Sequence, residues 1–178
     1  ADEDYRTLQE KKEKLKQKIE EYRAKQQIVA PFRPLECDLH RVLHYRYITY
    51  RFGRIAVEFY HKMQKYLMDD LKAIFVEGER DESYVYGVYF VSQAETQKVD
   101  AVFRSLHFER IELKDEFEGT PDTAYRVLEN EIARVNLEIE DLDKQAGEML
   151  ADRAPQLVAA RDRLEELSNN FDVRKLAA

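Results

Sequence analysis

Three side chains early in the chain have the types and spacing of metal ligands: Cys37, His40 and His44, in a C-x2-H-x3-H arrangement. A thiolate and two imidazoles suit zinc, but a closed tetrahedral site needs a fourth donor, and no obvious one follows. The expectation is no metal, with His44 opening a strand. His61 and His107 are isolated and read as surface or boundary residues. Gly53 stands alone between a strand pattern and a helix pattern, without the G-x-x-x-x-G-K-[ST] run that cradles phosphate, so it reads as a turn glycine. The paired carboxylates Asp69 with Asp70 and Glu109 with Glu112 read as solvated faces, because nothing around them in sequence argues for an altered pKa. No catalytic residues and no cofactor are expected.

Composition narrows the function classes further. The net charge of −7 disfavours DNA and anionic membranes as partners. Cys37 is the sole cysteine, which excludes an intrachain disulfide and suits a reducing compartment. No apolar run approaches the roughly 20 residues of a membrane span. The chain lacks an initiator Met and ends in LAA, and is expected to be a piece of something longer. Its 20 aromatics, 11 Tyr and 9 Phe, fall mostly in the middle, which is where a packed core belongs.

The elements that would position these groups divide into three stretches. Residues 1–30 read as a helix with heptad positions a at Tyr5, Lys12, Ile19 and Gln26 and d at Leu8, Leu15, Tyr22 and Val29, ended by Pro31 and Pro34. Two of the a positions, Lys12 and Gln26, are polar, so this seam is imperfect. Residues 120–178 read as a second helix with Tyr125, Ile132, Ile139 and Ala146 at a and Leu128, Val135, Leu142 and Met149 at d. Thr120 is its expected N-cap, Pro121 suits the first turn and Asp122 the positive end of the dipole. Pro155 is expected to kink or break it, and the apolar phase afterwards moves to Leu157, Ala160, Leu164, Leu167 and Phe171.

Between the helices, residues 31–119 read as strand 44–52, a turn at Gly53, a helix carrying Ile55, Phe59, Met63, Tyr66 and Leu67, strand 73–76, a polar turn GERDES, strand 84–91, a helix through Leu106 and strand 108–113. This order is the ferredoxin-like β-α-β-β-α-β plan, an α+β lobe. In that plan the first strand starts and the last strand ends at the same end of the sheet. The two long helices are therefore expected to pair as an antiparallel coiled coil carrying the lobe, extending roughly 37 Å over the 25 residues of the first and roughly 50 Å over the 33 of residues 121–153, at 1.5 Å per residue.

A long heptad helix followed by YITYRFGRI at 47–55, YVYGVYFV at 84–91, FERIEL at 108–113 and EGTPDTA at 118–124 resembles the N-terminal cytoplasmic region of V-type ATPase subunit I, called subunit a elsewhere. The resemblance implies a non-catalytic stator component at the cytoplasmic face of the membrane. Its implied role is to dock the peripheral stalk subunits E and G and to join them to the membrane sector of a proton- or sodium-transporting complex through a domain outside this chain. Candidate contacts on that reading are Tyr45, Tyr47, Tyr84, Tyr86 and Arg54 of the FGRI segment. FGRI is also similar to the phosphate-binding turn of acylphosphatases, but those use an asparagine and residues 31–120 contain none. The competing reading is an RRM-like module for single-stranded RNA, in which Tyr86 and Tyr89 around Gly87 stack bases. A ferredoxin-like ligand sensor on a coiled coil is the other alternative.

Overall fold

A computed structural model describes residues 2–114 and 116–177, and the side chains among them except 2, 154, 157–159 and 170–177. The chain divides into two compact units, one formed by residues 19–133 and the other by 1–18 with 134–178. Helix α1 covers Asp2–Val29, α5 covers Pro121–Asp152 and α6 covers Ala154–Ala177.

The 19–133 unit is built on a four-stranded antiparallel sheet. Its strands are β1 (Ile48–Ala56), β2 (Ala73–Arg80), β3 (Tyr84–Ser92) and β4 (Glu109–Arg110), in the order β2-β3-β1-β4. With α3 (Val57–Asp69) between β1 and β2 and α4 (Thr96–Ser105) between β3 and β4, this is the expected α+β plan. The central pair is the longest, running from Ile48 opposite Ser92 to Ala56 opposite Tyr84.

Alternation along β3 sorts its side chains onto two faces, and each face has its own core. Val85, Tyr89 and Val91 pack with Ile55, Met63 of α3 and Val99, Phe103 and Leu106 around α4. Val88, with Tyr86 and Phe90 beside it, packs with Phe52, with Val29 and Phe32 at the end of α1, with Leu39 and Val42, and with Ala124 and Leu128 of α5. Burial of each such aliphatic or aromatic side chain contributes about 1.5–3 kcal/mol, so the second core ties the helical segments of this unit firmly to the sheet.

Several local expectations are corrected. The first strand begins at Ile48, because residues 39–43 form a short helix α2 (Leu39–Leu43). Its N-cap is Asp38, whose Oδ1 accepts from the Arg41 N–H at 3.1 Å, and His44 terminates this helix instead of opening a strand. Gly53 is not a turn residue. It lies inside β1 opposite Gly87 and Arg110, where a Cβ would collide with the Glu109 carbonyl and the Phe108 ring. Ile55 accordingly belongs to β1, and α3 starts at Val57. β2 runs on through Gly78, Glu79 and Arg80, because Asp81 closes the hairpin in very few residues by accepting from the Ser83 and Tyr84 N–H groups, both at 2.7 Å. Those two bonds hold the Asp81 carboxyl below the usual aspartate range. The FERIEL segment pairs as a strand only at Glu109 and Arg110.

At the start of α5, Thr120 Oγ1 accepts from the Thr123 N–H at 3.2 Å. Asp122 meets Arg33 at 2.9 Å and Arg126 at 3.0 Å. In the same unit, Gln26 is buried and its amide donates to Glu129 Oε2 at 2.6 Å, while Ile19 and Ile132 are buried and Tyr22 is half-buried.

In the unit formed by 1–18 and 134–178, Leu8, Val135 and Ala146 are buried, and Leu15, Ile139, Leu142 and Met149 are half-buried. Lys12 Nζ meets Asp143 Oδ1 at 2.6 Å, and that bond raises the lysine above its ordinary pKa. Arg153 separates α5 from α6. On α6 Leu164 and Leu167 are exposed, whereas the side chains of Leu157 and Phe171 lie outside the described residues.

Candidate functional site

The five residues expected to form one interface occupy two places. Arg54 sits near the C-terminal end of β1, opposite Tyr86 of β3. Its Nε donates to Glu109 Oε2 at 2.6 Å, its NH1 donates to the Tyr86 hydroxyl at 3.4 Å, and its guanidinium lies 3.9 Å over the Tyr84 ring. The Tyr86 and Glu109 bonds raise the arginine pKa further above its already high value. Tyr86 also packs edge-on against Phe32, with ring centroids 6.2 Å apart. Arg54, Tyr84 and Tyr86 therefore clamp β1, β3 and β4 together, with most of the guanidinium occupied inside the molecule.

Tyr45 and Tyr47 lie before the other end of β1. Tyr47 is 73% exposed and Tyr45 is also exposed. Tyr47 and Arg54 are seven positions apart, about 23 Å of extended chain at 3.3 Å per residue. The sheet presents further exposed apolar side chains. Ile48 of β1 is exposed, as are Ile74 (66%) and Val76 of the edge strand β2.

The RNA-stacking arrangement is not formed. Tyr89 is 1% exposed on the opposite face from Tyr86, stacked on Phe103 at 3.8 Å. Its hydroxyl donates to Asp100 Oδ1 at 2.6 Å. Burial, reinforced by that bond, pushes the phenol well above its ordinary pKa. Asp100 is 9% exposed, and its second oxygen receives Arg51 at 3.3 Å and Arg110 at 3.1 Å. Sequence reading missed this cluster. The available signal was an acidic residue at position 100 inside the Val99, Val102, Phe103 stripe of α4, which calls for a cationic or hydroxyl partner.

Of the three metal-ligand types, His40 and His44 stand with ring centroids 4.6 Å apart on exposed positions of α2 and its C-cap. Cys37 is half-buried, and desolvation raises its thiol. Among the described residues no group of three or more His, Cys, Asp or Glu side chains is placed to hold a metal ion. His107 takes a left-handed backbone conformation (φ 58°) at the end of α4 and packs on Phe59 at 5.3 Å, so its role is to terminate that helix. His61 is exposed on α3. No helix among the described residues is long and apolar enough to cross a membrane.

No family model and no curated protein matches this chain. Seven chains of solved structures match it in fold. Among them is the crystal structure of the cytoplasmic N-terminal domain of subunit I, homolog of subunit a, of V-ATPase, with a TM-score of 0.57 and 12% identity. The match covers 86% of this chain and 51% of that one, so the present chain spans about half the length of that domain. At this identity the likeness is one of fold, and it extends over most of the architecture described above.

Proposed function

We propose that this chain is a non-catalytic stator element of a rotary V-type ATPase, which docks the peripheral stalk formed by subunits E and G and braces it against rotor torque. It would act at the cytoplasmic face of the membrane, in a proton- or sodium-transporting complex whose membrane sector lies outside this chain. The observation that carries the reading is the shared fold with the cytoplasmic N-terminal domain of V-ATPase subunit I over 86% of the chain.

Local features support a load-bearing part. In each compact unit a polar group at a heptad a position is tied across to α5, Lys12 to Asp143 in one and Gln26 to Glu129 in the other. Polar pairs at such positions fix register, so the helices resist sliding. An internal polar cluster, Tyr89, Asp100, Arg51 and Arg110, locks α4 to the sheet.

Calorimetric titration of the chain with a peripheral-stalk E/G heterodimer from the same source tests the proposal. Saturable binding tighter than about 100 μM is expected, a range typical of weak but specific contacts. No heat and no co-migration at that concentration would overturn it. Salt-sensitive binding of single-stranded RNA in place of the heterodimer would favour the nucleic-acid reading.

A further inference from the structure

A groove of about 490 Å³ opens beside β1 because β4 is so short. β4 pairs with β1 only at Gly53 and Arg54, and the last contact is the Ile111 N–H donating to the Phe52 carbonyl at 2.8 Å. Beyond it residues 111–114 leave the sheet while β1 continues back to Ile48, and the space between them forms the groove.

Its character is opposite to that of the chain as a whole. The net charge is −7, yet among the described residues four cations line this groove, Arg46, Arg51, Arg110 and Lys114, against one carboxylate, Glu112. Two of the cations share a single negative charge, since Arg51 and Arg110 both bond the same oxygen of Asp100. Arg51 Nε is in addition buried without a hydrogen-bond partner. Among the described residues, the groove therefore holds more positive charge and donor capacity than its neighbours satisfy. Tyr45 and Ile48, both exposed, supply an apolar edge. Tyrosine and arginine together, with an apolar contact beside them, are the composition of protein-binding hot spots.

Resting on the docking reading above, we propose that this groove receives an acidic amphipathic helix of the stalk partner. Its carboxylates would meet Arg46 and Lys114, and its apolar side chains would lie on Tyr45 and Ile48. The volume admits a few side chains but not a helix backbone, so the helix would lie across the mouth and insert one face. Charge complementarity selects an acidic segment over a neutral one, because a guanidinium and an ammonium at the rim favour carboxylates and speed their encounter.

The test is a charge reversal at exposed positions. The variant Arg46→Glu with Lys114→Glu is titrated with the E/G heterodimer, next to a control, Lys65→Glu with Lys98→Glu, which makes the same change in net charge on the exposed surfaces of α3 and α4. Circular dichroism and thermal melting establish that both are folded. The proposal expects the groove variant to bind at least about tenfold more weakly with a shallower salt dependence, and the control to stay within about twofold of wild type. Equal weakening of both variants would show a general charge effect and overturn the groove. Undiminished binding by the groove variant would overturn it too, while leaving docking intact. Failure of the unaltered chain to bind the heterodimer would overturn the docking reading, and the groove proposal with it.

Discussion

The Gln26 side-chain amide donates to Glu129 Oε2 at 2.6 Å, joining two residues 103 positions apart in sequence. Gln26 is buried, so this bond works in a less polar setting than a surface pair. Gln26→Ala is expected to lower stability by about 1–2 kcal/mol, from the lost charge-assisted bond and the space left behind. Glu129→Gln, which keeps an acceptor, should cost less than half as much. Urea denaturation of both variants measures the difference.

Tyr89 sets a limit on stability at high pH. Its phenol is raised above the ordinary value near 10 by burial first and by the bond to Asp100 second. Between the unfolded and folded pKa the native state holds the extra proton, so its contribution is complete below about pH 10 and is lost as pH rises toward the folded value. Tyr89→Phe should flatten the fall in melting temperature above about pH 10 relative to wild type. It should also destabilise the protein at neutral pH by about 1–2 kcal/mol, because Asp100 loses its buried donor.

Two glycines should respond in opposite directions to the same change. At Gly53 an added methyl would meet the Glu109 carbonyl and the Phe108 ring, so Gly53→Ala is expected to cost about 2–4 kcal/mol. Gly147 lies inside α5, and a methyl group there would meet nothing within 4 Å, so Gly147→Ala should gain about 0.5–1 kcal/mol. Melting curves of the pair give both signs in one experiment.

Cys37 should be a sluggish thiol. Desolvation raises its pKa, which lowers the thiolate fraction, and it is only partly accessible. Reaction with an aromatic disulfide reagent at about pH 8 should be at least tenfold slower in the native chain than after denaturation. Equal rates would show that the position is open.

The long helices were legible because their signal is local. Each a and d position from Tyr5 to Val29 and from Tyr125 to Met149 is buried or half-buried, as a seven-residue repeat on a helix requires. The same rule marked Lys12 and Gln26 as flaws. Their partners, Asp143 and Glu129, lie more than a hundred residues away, beyond what periodicity can reach. The β-α-β-β-α-β order was legible from the change of period, but its boundaries were not. HYRYIT alternates like a strand, yet Asp38 caps a helix just before it, and Gly53 resembles a turn glycine until the close approach of Phe108 is known. The five candidate contacts were grouped by residue type. Only the extent of β1 shows that Tyr47 precedes its first residue while Arg54 lies near its last. The basic groove could not be seen in advance, because it arises where a strand stops pairing early.

The nine-residue pairing of β1 with β3 also has a mechanical meaning. Both faces of the sheet are occupied by cores, so a load reaching this unit through β1 would arrive at its rim, in the plane of the sheet. Tension along β1 shears the whole ladder, and its hydrogen bonds must fail together. Tension across the strand peels them one at a time. The same unit would thus be stiff along one axis and yielding along the other, with an anisotropy set by strand direction.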